Sequence, residues 1–265
     1  MHNSCAPSLH GLRILNTRPK TQYDALHQAI LQAGGKSIAL PVIEIGATDN
    51  AWKKILLEQS VIHKVIFISP NAVDYFMSGL NPNTPENALL PWSSTTQILA
   101  IGSATAAQLS KYHIPIHALP SIADSENLLE LSNLHMVQQQ TILIVKGTHG
   151  RDLLEHTLQT RGANVVLLPV YTTRLPQHNE EKLQQIWQEN QVDLILYTSQ
   201  QSITNTFTLF QRRAHQWLCK KPSVVISARI ATYAASLGIK TIIQSCHDDI
   251  IKTLEGFAHE HRQKT

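Results

Sequence analysis

Short β-rich runs alternate with amphipathic helical stretches along almost the whole chain, and this alternation restricts the fold more than any other feature of the sequence. The apolar runs fall near residues 12–16, 37–40, 64–68, 97–101, 114–118, 141–145, 164–168, 193–197, 223–227 and 239–243. Between most of them apolar positions recur three and four apart, as at Ala25, Leu26, Ala29 and Ile30, the spacing of one helix face. Strands separated by helices specify parallel sheets joined by right-handed crossovers. Ten strands in 265 residues are too many for one compact sheet of this length, so two sheets of about five are expected.

An internal repeat relates the two halves. A displacement of 128 positions carries Ile14-Leu15 onto Ile142-Leu143, Arg18 onto Lys146, Leu26 onto Leu154, Gly34 onto Gly162 and Leu40-Pro41-Val42 onto Leu168-Pro169-Val170. Displacements of 130 and 125 align Ile66-Phe67-Ile68-Ser69 with Leu196-Tyr197-Thr198-Ser199, and Ala100-Ile101-Gly102 with Val225-Ile226-Ser227. The order of these blocks makes the first unit leave at Pro41 and resume after Pro169. The expected architecture is α/β, with two similar doubly wound, flavodoxin-like parallel-sheet domains, one inserted in the other. Residues 1–40 and 172–265 form the discontinuous domain and residues 43–168 the inserted one. The crossings at 41–45 and 169–173 either pair as a two-stranded hinge or are strands stopped by proline. Ligands of such folds sit beyond the carboxyl ends of the strands, and two such edges facing each other would line a deep cleft.

Composition excludes several classes. With 43% hydrophobic residues the chain can bury packed cores, so general disorder is not expected. No apolar run approaches the ~20 residues that span a bilayer, and no membrane association is expected. The first ten residues mix His, Asn, Ser and Pro and read as a frayed terminus, not a signal peptide. Cys5, Cys219 and Cys246 lie far apart, which suits a reducing cytoplasm and makes no metal or redox spacing. His63, His113, His117, His149, His156 and His215 show no paired spacing for a metal either. A net charge of +3 is too mild to imply nucleic acid, and it is compatible with a small polyanionic ligand. Without a long heptad or exposed apolar helix, a monomer is the default.

Candidate functional residues gather where strands end and helices begin. They are Arg18-Pro19, Ser69-Pro70-Asn71, Gly102-Ser103-Ala104-Thr105, the turn Gly147 to Arg151 after Lys146, and Thr198-Ser199. Such ends offer backbone N–H groups, a helix dipole and short hydroxyls to an anion. Read singly, each is equally an ordinary cap or helix starter. On one edge together, with Arg18, Lys146 and Arg151 close by, they point to polyanion binding. No phosphate loop, GxGxxG, HExxH or serine elbow is present in the sequence. No carboxylate pair stands out as an acid–base couple. Tyr171 is the aromatic hydroxyl placed in a crossing, where it either projects into the cleft or packs its ring.

These blocks resemble, in order from about residue 12 to about 255, the uroporphyrinogen-III synthases. Ile14-Leu15-Asn16-Thr17-Arg18-Pro19 looks like that family's opening strand and Thr-Arg-Pro turn, and Leu40 to Ile45 is similar to its first crossing. Phe67 to Val73, Ile101 to Ala106, Lys146 to Arg151, Pro169-Val170-Tyr171 and Asp193 to Ser199 resemble its later blocks. The chain departs at Ile226-Ser227-Ala228-Arg229-Ile230-Ala231, where the family often has Gly first and Thr at the place of Ile230. Ile68 also stands where Thr is more usual.

The resemblance implies a lyase that needs no cofactor and no metal. Its substrate would be the linear tetrapyrrole hydroxymethylbilane, met in transient contact with the hydroxymethylbilane synthase that supplies it. The hydroxyl leaves as water, the far ring attacks through its substituted carbon, and the macrocycle closes with ring D inverted. On this reading Tyr171 assists departure of the hydroxyl, and Arg18, Ser69, Ser103, Thr105, Lys146, Arg151 and Ser199 cradle carboxylates. Two other readings remain open on the residues alone. One is a non-catalytic two-lobed binder of a tetrapyrrole or another polyanion; the other is an enzyme for phosphorylated sugars that uses the Gly147 to Arg151 turn.

Overall fold

The computed structural model describes residues 8–83, 90–246 and 249–262. Cys5 and residues 1–7 of the terminal segment lie outside them. The chain divides into two compact units, Met1–Glu44 with Arg174–Thr265, and Ile45–Thr173.

The discontinuous unit carries the strands β1 (Arg13–Asn16), β2 (Lys36–Ala39), β8 (Leu194–Tyr197), β9 (Ser223–Val225) and β10 (Ile242–Gln244). Their spatial order is β10-β9-β8-β1-β2, every neighbour parallel. That is the flavodoxin-like order, and the direction of winding reverses between β1 and β8. Alternate side chains feed two cores. Leu15, Ile195 and Val225 pack with α7 (Glu180–Gln188), α8 (Gln200–Lys220) and α9 (Ala228–Ser236). Ile14, Leu194, Leu196 and Val224 pack with α1 (Lys20–Gln32) and α10 (Ile250–Arg262). Burial on both faces is why these strands read as continuous apolar runs.

The second unit carries β3 (Glu44–Ala47), β4 (Lys64–Phe67), β5 (Gln97–Ala100), β6 (Thr141–Gly147) and β7 (Asn164–Arg174) in the order β3-β7-β6-β4-β5. Strands β5, β4, β6 and β7 are parallel and repeat the same winding, which here reverses between β4 and β6. One face packs on α2 (Ala51–Leu57), α3 (Pro70–Leu80) and α4 (Ser103–Lys111) through Trp52, Phe67, Phe76, Leu109 and Val145. The other packs on α5 (Ser125–Leu129) and α6 (Leu153–Thr160) through Ile66, Leu99, Leu128, Ile144 and Leu158.

The repeated glycines have a common cause. Gly34, at φ +78°, follows α1, and Gly162, at φ +84°, follows α6. Both stand one residue past the helix cap, in the left-handed region that a side chain opposes. In each case the next amide reaches back into the helix: Gly35 N–H to Ile30 O at 2.9 Å and Ala163 N–H to Leu158 O at 3.0 Å.

Three segments differ from the pattern of apolar runs. Residues 114–118 form only an isolated bridge, Leu99 to Ala118, because Pro115 withholds a ladder donor. The end of the first crossing, residues 44–45, continues through Gly46 and Ala47 as a strand at the edge of the second sheet, and just beyond it Thr48 N–H meets Val170 O at 3.3 Å. Residues 169–173 lie in the carboxyl half of the 11-residue β7, which neighbours β3 in the sheet, so the two crossings do pair, as the two-stranded alternative has it. Ahead of β3, the chain at Pro41 and Val42 is held to its own unit by His178 Nε2 on Pro41 O and Asn205 Nδ2 on Val42 O, both at 2.7 Å. Among the described residues no helix is long and apolar enough to cross a membrane.

Candidate active site

The winding of the second sheet reverses between β4 and β6, and the best-formed constellation lies at the carboxyl ends of these two strands. Strand β4 runs into Ser69, whose extended backbone and Oγ cap α3 by accepting the Ala72 N–H at 3.0 Å. Pro70 opens the helix, where its missing N–H costs nothing. The Tyr171 hydroxyl lies 3.2 Å from Ser69 Oγ. Its half-buried ring stacks on Tyr75 at 5.8 Å between centroids, and the Tyr75 hydroxyl donates to Ile45 O at 2.8 Å.

A register shift aims Tyr171. Lys146 pairs with Pro169 and Gly147 with Tyr171, so Val170 is the extra residue of a bulge. Bulges turn a side chain off the regular pleat, and they admit a strand proline. Gly147 is then required by contact: a Cβ there would stand 2.8 Å from Cε2 and Cζ of Tyr171 and 3.1 Å from its hydroxyl. Thr148 closes the arrangement, its N–H donating to Tyr171 O and its Oγ1 to Thr172 Oγ1, both at 2.9 Å. Next to these, Lys146 is buried at 8% exposure, with no hydrogen-bond or ionic partner among the described residues.

The remaining expected residues of this unit fall into different situations. Ser103 is exposed in the first turn of α4, while Thr105 is buried at 1% exposure beneath that turn. Arg151 is exposed, and its guanidinium is taken by Glu126 at 2.5 Å. A ligand would have to displace that carboxylate to reach it.

In the discontinuous unit the winding reverses between β1 and β8, and Arg18 and Ser199 stand at those strand ends. Asn16 and Thr17 are wholly buried; Asn16 Oδ1 accepts the Arg18 N–H at 3.2 Å, and Thr17 Oγ1 donates to Leu196 O at 2.6 Å. Burial lowers the Arg18 pKa below the ordinary arginine value, which makes a bound carboxylate a favourable partner. Ser199 and Ser202 form a capping box at the start of α8. The altered last turn is accommodated: Ser227 Oγ caps α9 by accepting the Ile230 N–H at 3.4 Å, and Ile230 is buried in the core.

Sequence reasoning missed Asn16, whose amide nitrogen is buried without a partner among the described residues. It also missed Gly147 as the seat of Tyr171, although the matching of Lys146 with Arg18 in the repeat marked that strand end. Among the described residues no group of three His, Cys, Asp or Glu is placed to hold a metal.

The family model described as uroporphyrinogen-III synthase HemD matches residues 24–251. The chain belongs to the uroporphyrinogen-III synthase family. It is 27% identical over 195 residues to the uroporphyrinogen-III synthase of Chlorobaculum parvum, covering 73% of this chain and 77% of that protein. To that of Escherichia coli K12 it is 26% identical over 254 residues, covering 92% and 100%. Two solved structures share the fold. A mutant uroporphyrinogen III synthase of Thermus thermophilus has a TM-score of 0.65 at 16% identity, covering 96% of this chain and 100% of that one. The enzyme of Helicobacter pylori has a TM-score of 0.62 at 15% identity, covering 95% and 100%. Membership of the uroporphyrinogen-III synthase family makes the protein an enzyme of porphyrin biosynthesis with a small-molecule substrate. The binder and sugar-phosphate readings give way to it.

Proposed function

We propose that the protein is a lyase that cyclises hydroxymethylbilane to uroporphyrinogen III in the cytoplasm, working as a monomer without a cofactor. The observation that carries the residue-level reading is the Tyr171 hydroxyl, fixed at the carboxyl edge of the second sheet by Ser69, Gly147 and Tyr75. Ser69 Oγ already accepts the Ala72 N–H. Its own O–H is therefore free to donate to the Tyr171 oxygen, leaving the Tyr171 proton to meet the departing hydroxyl.

The pyrrole nitrogen lone pair expels that hydroxyl, which leaves as water and gives an azafulvene. The far ring attacks it through its substituted carbon. The spiro intermediate fragments and recloses with ring D inverted, and loss of a ring proton restores the aromatic pyrrole. The substrate supplies the electronic drive, so the protein's share is geometry: folding the chain and favouring the strained attack. Its carboxylates are gripped at strand-end turns, by Ser69, Ser103 and Lys146 in one unit and Arg18 and Ser199 in the other, while the buried Thr105 supports its turn from beneath. Arg151 joins once Glu126 is displaced.

The test supplies freshly made hydroxymethylbilane and separates the oxidised porphyrins. Type III product is expected; only type I, as without protein, would overturn the activity. Tyr171→Phe is expected to lower kcat far more than it weakens product binding, and an unchanged kcat would remove Tyr171 from the mechanism.

A further inference from the structure

A cavity of about 750 Å³ opens at the amino-terminal edge of the second unit's sheet, where β4 and β5 begin. Tyr171 and Ser69 stand at the opposite, carboxyl ends of that sheet. The volume falls within the ~300–1,000 Å³ usual for small-molecule sites. Its lining joins three unlike features. Lys64 lies at 7% exposure, and its Nζ donates to Gln97 Oε1 at 3.0 Å. Gln140 Oε1 is buried with no hydrogen-bond partner among the described residues. Val61, at 58% exposure, and the half-buried Trp92, Pro91 and Leu90 form an apolar wall.

Lys64 is the informative group. A buried ammonium is normally paired with a carboxylate, yet its partner is a neutral amide, and no Asp or Glu among the described residues lines the cavity. The amide is shared, because Asn133 Nδ2 also donates to Gln97 Oε1 at 3.2 Å. Burial lowers the Lys64 pKa from its ordinary value, and an anion beside it would favour the charged form. His63 adds a donor. Its Nδ1 accepts the Thr141 N–H at 3.0 Å, so the neutral ring carries its proton on Nε2. One cation and one neutral donor match a monoanion better than a dianionic phosphate. The unsatisfied Gln140 oxygen calls for a donor elsewhere on the ligand.

We propose that this cavity is a second ligand site, separate from the ring-closing residues, for a small aromatic monocarboxylate carrying a hydroxyl or N–H. The carboxylate sits on Lys64 and His63, the ring lies against Trp92, and the donor reaches Gln140.

The experiment titrates the full-length protein with 4-hydroxyphenylacetate and, as the uncharged control, with 4-hydroxybenzyl alcohol, by calorimetry. Saturable binding of the acid at one site is expected, with the alcohol at least tenfold weaker. Gln97→Glu gives Lys64 an internal carboxylate; it should weaken the acid at least tenfold while raising Tm, and Lys64→Met should abolish binding. Both variants should still form type III porphyrin. Tyr171→Phe should bind the acid as the unaltered protein does, which separates this site from the failure of the ring-closing one. Absence of saturable binding, equal binding of acid and alcohol, or undiminished binding by Gln97→Glu would overturn the proposal.

Discussion

At the scale of single residues, the site depends on an atom that is absent. Gly147 has no side chain, and the space a Cβ would fill is occupied by the Tyr171 ring at 2.8 Å. Gly147→Ala is therefore expected to push that ring off Ser69. Overpacking of this kind costs about 1–3 kcal/mol, and a misplacement of ~1 Å can cost about a hundredfold in rate. Turnover should fall tenfold or more, while the Tyr171→Phe, Gly147→Ala double variant loses little beyond Tyr171→Phe alone. A porphyrin-III assay on the four proteins checks this, and additive losses would show that Gly147 acts through something else. The sequence made Tyr171 a candidate by its place in a crossing, but left open whether it packs or projects. Both hold: the ring packs on Tyr75 while the hydroxyl reaches Ser69. Thr105 was chosen as a hydroxyl in a turn, and nothing in its neighbours' identities announces that it is turned under the helix.

At the scale of elements, parallel strands and their helices were legible because both faces of each sheet are covered. Such strands read as unbroken apolar runs, and the helices between them keep a 3.6 period. What escaped were places where tertiary pairing overrode the local signal. Glu44–Ala47 is polar at one end and short, and becomes a strand because the β7 edge is there to receive it. Ile114 to Ala118 is apolar enough for a strand, but Pro115 breaks its ladder.

Helix α8 hides a further case. Gln211 stands at φ +54° and ψ 177° within it, dividing a run that its amphipathic spacing makes continuous. That region is nearly glycine's alone, and a side chain there costs on the order of 1–3 kcal/mol. Gln211→Gly relieves the strain at an entropic cost of about 0.5–1 kcal/mol. It also loses an exposed contact of Gln211 Nε2 with Glu180 Oε1 at 3.4 Å. The expected net gain of about 1 kcal/mol is a Tm rise of about 2–4 °C, read by thermal melting; a fall would mean the Glu180 contact dominates.

At the scale of the molecule, the Arg13–Asp193 ion pair ties the two distant pieces of the discontinuous unit together beside the β1–β8 ladder. Asp193 accepts the Arg13 backbone N–H at 2.9 Å and binds its guanidinium through both oxygens, at 3.0 and 2.5 Å. Burial alone would raise the Asp193 pKa, but the hydrogen bonds from Arg13, with the charges of Arg13 and Lys221, outweigh it and hold the pKa below its ordinary value. A depressed carboxylate contributes stability that is complete above the unfolded pKa of about 3.9 and is lost as pH falls through the folded one. Asp193→Asn should therefore melt lower than the unaltered protein near pH 7. The gap should close as the pH drops below about 4. A gap independent of pH would assign the loss to packing instead.

The interruption of one unit by the other also sets a timetable. During synthesis β1, α1 and β2 emerge first, yet β1 must wait for β8, whose first residue is Leu194. At roughly 5–20 residues per second, that delay is on the order of 10–30 s. The intervening unit has all its strands within Glu44–Arg174 and can finish folding in the meantime. Until β8 arrives, the flank of β1 that will receive it is an open ribbon edge on the nascent chain. The ribosome, more than the finished protein, faces the hazard of that exposed pair of strands.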